Sequence, residues 1–176
     1  MDLKDILLSN DVVKSINDNM DYLLSIIPEI EYMIDFNQNN PNHHLDVWNH
    51  TLLALNLSKK DFDIRLSLLL HDIGKPFSYQ DLTIRHFKNH QSISSIMANN
   101  ILKRLDYDID YRNYICSLIY MHDSKITDKM INDEYDFAFS LYNIEYPDQM
   151  AHNPCMLKRR KEYLESINKK LIIKKG

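Results

Sequence analysis

Six side chains in the middle of this chain are of types that hold metal ions: His50, the adjacent pair His71-Asp72, His90, His122 and Asp148. Imidazole and carboxylate together are the donors used for Zn, Mn, Fe or Ni when positions must stay open for water and substrate. Their placement matters more than their number. On a helix, residues three and four apart share a face. His50 therefore lies with Val47, Leu53 and Ala54, His71 with Ile64, Ser67 and Leu68, and His122 with Ile115, Leu118 and Ile119. An imidazole on such an apolar stripe needs a partner, because an unpaired buried polar group costs ~1–3 kcal/mol. One such histidine is ordinarily a hydrogen-bonded core residue. Three of them, with a His-Asp pair at a helix end, point instead to shared ligation. Positions 71 and 72 are about 100° apart around a helix axis, so both can lean on one cation where the helix stops. A metal-centred hydrolase is the leading expectation.

The elements that must position these residues read as helices. Asp11 caps a helix from Val12 towards Ile27, and Pro28 starts a short one carrying Ile30, Met33 and Ile34. Residues 37–42 are Asn- and Pro-rich and form a loop. Helical spacing resumes from His44 through His50 to Leu57. Asp61 caps the next helix, Phe62 to Asp72, with Gly74 as its C-cap and Pro76 preventing continuation. Residues 77–87 are mixed and suit a loop or short hairpin. Asn89 or His90 opens the following helix, Asp110 the one after it, and segments 133–145 and 147–153 read as shorter helices. With two Gly, five Pro and no long alternating segment, the chain is expected to be all-α.

The 176 residues suit one globular unit. Within it, residues 1–36 form an N-terminal helical extension packed on a core of 37–176. Cys116 and Cys155 lack metal or disulfide spacing and read as reduced thiols. The first residues are acidic rather than signal-like, and no apolar run approaches the ~20 residues of a membrane span. A cytoplasmic protein is expected. Charge is uneven: residues 158–175 carry a net +6, so the remainder carries −10 of the total −4. A basic end can contact RNA or phosphate. Leu157, Tyr163, Leu164, Ile167 and Leu171 recur beneath those lysines, however, so an amphipathic terminal helix with a solvated face is the expected form. Arg159 and Arg160 fall on that face.

Several strings carry a resemblance. Asn40 to Leu52, containing His43-His44-Leu45-Asp46-Val47-Trp48-Asn49-His50, resembles the first motif of HD-domain phosphohydrolases, and Leu69-Leu70-His71-Asp72-Ile73-Gly74-Lys75-Pro76 resembles their defining segment. His86-Phe87-Lys88-Asn89-His90, Leu118-Ile119-Tyr120-Met121-His122 and Asp148-Gln149-Met150-Ala151-His152-Asn153-Pro154 resemble the later blocks. The likeness covers roughly residues 37 to 165 and is nearest the HD domain of bacterial tRNA nucleotidyltransferases, here standing alone without a nucleotidyltransferase head. Pro147 stands where that family usually places Ala.

The resemblance implies a helical bundle with a central metal site. Its ligands would be His50, His71, Asp72 and Asp148, holding a divalent ion (Mn, Ni, Co, Fe, Zn or Mg). His90 and His122 would hold a second ion with Asp72 bridging, or lie beside the substrate phosphate if one ion binds. Metal-activated water is the implied nucleophile. Lys75 would neutralise phosphate charge, as a catalytic or substrate-binding group, and His86 would touch substrate. His43 and His44 read as a polar loop, Trp48 as core and His152 as solvent-facing, and Asp123 stands outside the primary site. The implied reaction is hydrolysis of a phosphomonoester or cyclic phosphodiester, of a small nucleotide or an RNA-end phosphate, with neither DNA nor membrane expected as partner. The alternatives are a nucleotide- or RNA-binding module without turnover, and a nucleoside-triphosphate hydrolase with a larger, more basic pocket.

Overall fold

The computed structural model describes residues 2–80 and 83–175. Short helices begin the chain. Asp2 and Asp5 form a reciprocal capping box on α1 (Leu3–Leu7), an element that sequence periodicity missed because it is barely one turn long. Asp11 caps α2 (Val12–Asp18) as expected, but the single helix foreseen from Val12 to Ile27 breaks at Asn19, which leaves helical geometry at φ −122°. Its side-chain amide donates to the Ser15 carbonyl, the kind of local bond through which Asn competes with a helix. The chain restarts as α3 (Met20–Ile26), and Pro28–Met33 follows as a 3₁₀ turn.

Asp46 then caps α4 (Val47–Leu57), which carries His50. Asp61 caps α5 (Phe62–Leu70), and every residue of α5 from Ile64 to Leu70 is buried. A helix buried on all sides belongs at the centre of a bundle, and α5 contacts α4 and α1. Leu66, Leu68, Leu69 and Leu70 are fully buried, each contributing roughly 1.5–3 kcal/mol of transfer free energy. The N-terminal helices join this same core through Ile6, Leu7, Ile16 and Leu23. Arg65 anchors them, donating to the Leu7 and Ser9 carbonyls at 2.6 and 2.8 Å.

Helix α5 ends two residues before Asp72, not at it, so His71 and Asp72 stand on the turn that follows. Gly74 is not a left-handed C-cap: its φ is −84°. A Cβ there would lie 2.5 Å from the Ser94 nitrogen and 2.9 Å from the His90 carbonyl. Glycine is required by close approach, which lets the His71-Asp72 turn sit against the helix carrying His90. Beyond it, β1 (Tyr79–Gln80) and β2 (His86–Phe87) pair antiparallel, Tyr79 opposite Phe87 and Gln80 opposite His86.

Helix α6 (His90–Arg104) opens from Asn89, whose φ of 61° is left-handed, and α7 (Ile109–Met121) is capped by Asp108 rather than Asp110. Both pack on α5. After α8 (Asp128–Asp133) comes α9 (Tyr135–Met150), one helix where two were expected. Pro147 lies inside its last turn, where it removes one N–H and one helical bond without ending the helix. It therefore does not start a new helix, and Asp148 rides on the end of α9 rather than the beginning of another element. Helix α10 (Lys158–Lys175) closes the chain, burying Leu164, Ile167 and Leu171 beneath its lysines as the spacing predicts. Among the described residues no helix is long and apolar enough to cross a membrane.

Candidate metal centre

His50 from α4, His71 and Asp72 from the turn after α5, His90 from the start of α6, His122 from the end of α7 and Asp148 from the end of α9 converge at the centre of the bundle. All six are buried. The two carboxylates organise the group. Asp148 Oδ1 lies 2.8 Å from His50 Nε2 and 3.4 Å from His71 Nε2. Asp72 Oδ2 lies 3.3 Å from His71 Nε2 and 3.7 Å from His50 Nε2. Its other oxygen, Oδ1, faces His90 Nε2 at 3.4 Å and His122 Nε2 at 3.9 Å.

The opposite edges of the four rings explain what this geometry wants. Nδ1 of His71 and of His122 each lies 2.6 Å from a backbone carbonyl, Leu68 and Ile119 respectively. Nδ1 of His90 faces the Phe87 carbonyl at 2.9 Å, and Nδ1 of His50 faces the Ala151 carbonyl at 3.3 Å. A neutral imidazole has one N–H. Once that proton is donated to the carbonyl, Nε2 is a bare lone pair aimed at carboxylate oxygen. His90 and His122 even bring their two Nε2 atoms within 3.3 Å of each other. Acceptors facing acceptors require positive charge between them. His71 Nε2 and both Asp72 oxygens are buried without a hydrogen-bond partner. Lys75 Nζ approaches Asp72 Oδ2 at 2.7 Å, off hydrogen-bonding alignment, while donating to Gln38 Oε1 at 2.9 Å. This is the arrangement of metal-ligating histidines oriented by carbonyls behind them. Among the described residues the donor atoms fall into three overlapping groups that fit a divalent ion, His50-His71-Asp72, Asp72-His90-His122 and His50-Asp148-His152.

Electrostatics agree. Burial disfavours charge on His71, but Asp72 and Asp148 outweigh it and raise its pKa to about 10. Burial opposes ionisation of Asp72 too, yet His71 and Lys75 hold it well below the usual carboxylate range. Asp148 is likewise held low against burial, by hydrogen bonds to His50 and His71. The centre therefore keeps both carboxylates ionised and offers a proton or a metal ion as the compensating charge.

A cavity of about 500 Å³ opens onto the centre. Asp72, Lys75, His90, His122 and Asp148 line it, and His86 and Lys88 stand exposed at its mouth. His50 and His71 sit behind it. Four further residues emerge that the sequence reading had set aside or not considered. His152 is buried rather than solvent-facing, its Nδ1 2.9 Å from the Asp148 carbonyl. The spacing of four from Asp148 carried that signal, since it keeps both on one face. Burial takes the His152 pKa down to about 4. His43 packs against it, the ring centroids 4.4 Å apart and the planes tilted by 39°, and lines the same cavity. Burial, aided by Lys75, pushes His43 well below the ordinary histidine range, so both rings are neutral. Asp123 brings Oδ2 within 3.4 Å of His90 Nε2. Gln38, which sets Lys75, comes from the Asn-rich loop and left no periodic trace.

A family model described as HD domain matches residues 42–173, the span that contains all six converging residues. An A-adding tRNA nucleotidyltransferase from Deinococcus radiodurans is 37% identical over 71 residues. That match covers 36% of this chain and 16% of the relative, so the likeness concerns a small part of that protein.

Proposed function

The chain belongs to the HD-domain family, and we propose that within it the protein is a metal-dependent phosphohydrolase acting on a phosphomonoester or cyclic phosphodiester of a nucleotide. The observation that carries this reading is the set of four imidazoles, each backed by a carbonyl, whose Nε2 atoms meet Asp72 and Asp148. His50, His71, Asp72 and Asp148 would hold the first ion, and His90 and His122 a second, with Asp72 presenting one oxygen to each. When bound, such ions supply Lewis acidity and activate water for attack on phosphorus. The chain's own residues do the rest. Lys75, hydrogen-bonded to Gln38 and ion-paired with Asp72, places positive charge beside the ligands where phosphate oxygens would sit. Lys88 and His86 at the mouth meet the incoming ester. Neutral His43 and His152 offer hydrogen bonds without adding charge. An RNA end is one form this substrate could take, in keeping with the partial likeness to an A-adding tRNA nucleotidyltransferase.

The two-ion arrangement makes a direct expectation. Metal analysis of the purified protein should give two ions per chain, falling to one in His90→Ala and in His122→Ala while helical content is kept. A wild-type stoichiometry of one, unchanged by either substitution, would sink the second position and return both histidines to a role beside the phosphate.

Substrate size follows from charge. The cavity is lined by the acids Asp72, Asp123 and Asp148 against the lysines Lys75 and Lys88, enough cation for one phosphate once metal is bound. Nucleoside monophosphates or 2′,3′-cyclic nucleotides should be hydrolysed at least ~10-fold faster than triphosphates, a difference of about 1.4 kcal/mol in barrier. Initial rates under Mn, Ni, Co and Mg test this. A preference for triphosphates moves the protein to the triphosphohydrolase class. Tight nucleotide binding without turnover under any of these ions makes it a binding module.

A further inference from the structure

Beside the metal cavity lies a second, smaller one of about 230 Å³, and His122 and Asp123 form a wall common to both. Its floor is Glu145, 3% exposed, whose Oε1 is buried without a hydrogen-bond partner. Glu145 precedes Asp148 by three residues on α9, so its side chain stands one helical step, ~5–6 Å, from a metal ligand. Arg160 and Tyr163 from α10 close the opposite side, with Lys125 at the rim. Arg160 donates to Gln149 Oε1, and Gln149 Nε2 donates in turn to Asp148 Oδ2 at 3.2 Å. The small cavity is thus wired to the metal centre, and α10 contributes to it through an arginine that the sequence assigned to a solvated face. Burial, reinforced by Asp148 and Asp123, raises the Glu145 pKa in the metal-free protein, and a hydrogen bond with Tyr163 opposes that shift.

We propose that this cavity is a subsite for the sugar part of the substrate, in which Glu145 Oε1 receives a ribose hydroxyl while the ester's phosphate occupies the metal centre. The inference rests on the hydrolase reading above and adds the group recognised. An apolar occupant would strand Glu145 and the guanidinium together. A second phosphate would meet the carboxylate of Asp123. A hydroxyl is donor and acceptor at once, so it satisfies the carboxyl and the Arg160 N–H groups in one contact. The one-step offset between Glu145 and Asp148 matches the short reach from a phosphate to a hydroxyl on the same sugar.

The test compares AMP with 2′-deoxy-AMP and 2′,3′-dideoxy-AMP on the metal-loaded wild-type protein and on Glu145→Leu and Glu145→Gln. In the wild type, kcat/KM should fall at least ~10-fold when the hydroxyls are removed. Glu145→Gln, which still accepts and donates, should keep most of that ratio, whereas Glu145→Leu should bring it close to one. A wild-type ratio near one overturns the subsite, as does a Glu145→Leu protein that loses all three substrates equally. Dependence on the base rather than the hydroxyl, seen with GMP and CMP, overturns it too. If no ester is hydrolysed, the same nucleotides are compared by calorimetric binding. Hydroxyl-dependent affinity that disappears in Glu145→Leu then supports the subsite and removes the hydrolase reading, and affinity blind to the hydroxyls removes both.

Discussion

Asp72→Asn is expected to lower phosphoester hydrolysis by at least ~10³-fold, about 4 kcal/mol of barrier, with the helical fold retained. Asp72 is the only carboxylate among the six whose two oxygens face different imidazole pairs: Oδ2 faces His50 and His71, and Oδ1 faces His90 and His122. Asparagine keeps the shape but replaces one of those oxygens by an NH₂ group, which cannot ligate, so one half of the centre loses its shared anion. Alanine is the harsher change. It removes the anion beside Lys75, which is itself buried with Gln38 as its remaining partner, and breaking a buried pair from one side costs roughly 3–5 kcal/mol. The informative variant is therefore Asp72→Asn, assayed for metal content, circular dichroism and turnover together. Wild-type turnover in that protein would take Asp72 out of the mechanism.

The parts of this centre legible in the sequence are those carried by regular elements. His50 lies on its helical stripe and His90 at a helix start, as the spacing indicates, whereas His71-Asp72 and His122 stand just past the ends of α5 and α7. What the spacing could not express was contact between elements. Gly74 looked like a C-cap because glycine usually serves that purpose after a helix, but its reason is the passage of α6 at 2.5 Å from where a Cβ would stand. Pro147 looked like a boundary, yet a proline in the last turn removes a single helical bond, and burial of the α9 face that carries Leu141, Ile144 and Asp148 outweighs it. The break at Asn19 turned on one side-chain amide finding a carbonyl. His43, Gln38 and His152 lie in or beside loops, where no period marks which residues turn inward. Glu145 escaped notice for another reason: a glutamate on an amphipathic helix is ordinarily solvated, and its burial becomes visible only once α10 is seen to cover it.

Stripping the metal should cost the protein much of its thermal stability, by an amount that depends on pH with a definite sign. In the metal-free protein the His71 pKa is raised from 6.5 to about 10 by Asp72 and Asp148, against the effect of burial. A group raised on folding stabilises fully below its unfolded value and loses that contribution as pH climbs through the folded one. The protonated ring thus supports the metal-free fold at pH 6.5 and supports it progressively less towards pH 10. The depressed pKa values of Asp72 and Asp148 act in the acid range, where their contribution disappears as pH falls. Between pH 6.5 and 8.5 the raised Glu145 adds to the decline, and the depressed His43 and His152 oppose it near pH 6.5. His71 is therefore read from the metal-dependent increment rather than from the metal-free trend. A metal ion takes the place of that proton, so binding releases it, and the apparent Kd should tighten about tenfold per pH unit over this window. Metal at ~1,000 times its Kd adds about 4 kcal/mol. At roughly 2–4 °C per kcal/mol for a chain of this size, that is an increment of about 8–16 °C in Tm, larger at pH 8.5 than at pH 6.5 for the same free metal concentration. Thermal scans of chelator-treated and metal-supplemented protein across that range measure it directly, with calorimetry in buffers of different ionisation enthalpy counting the released proton. An increment that is flat or shrinks with rising pH would mean that the ion does not displace a proton from His71, and His71 would then have to be removed from the ligand set.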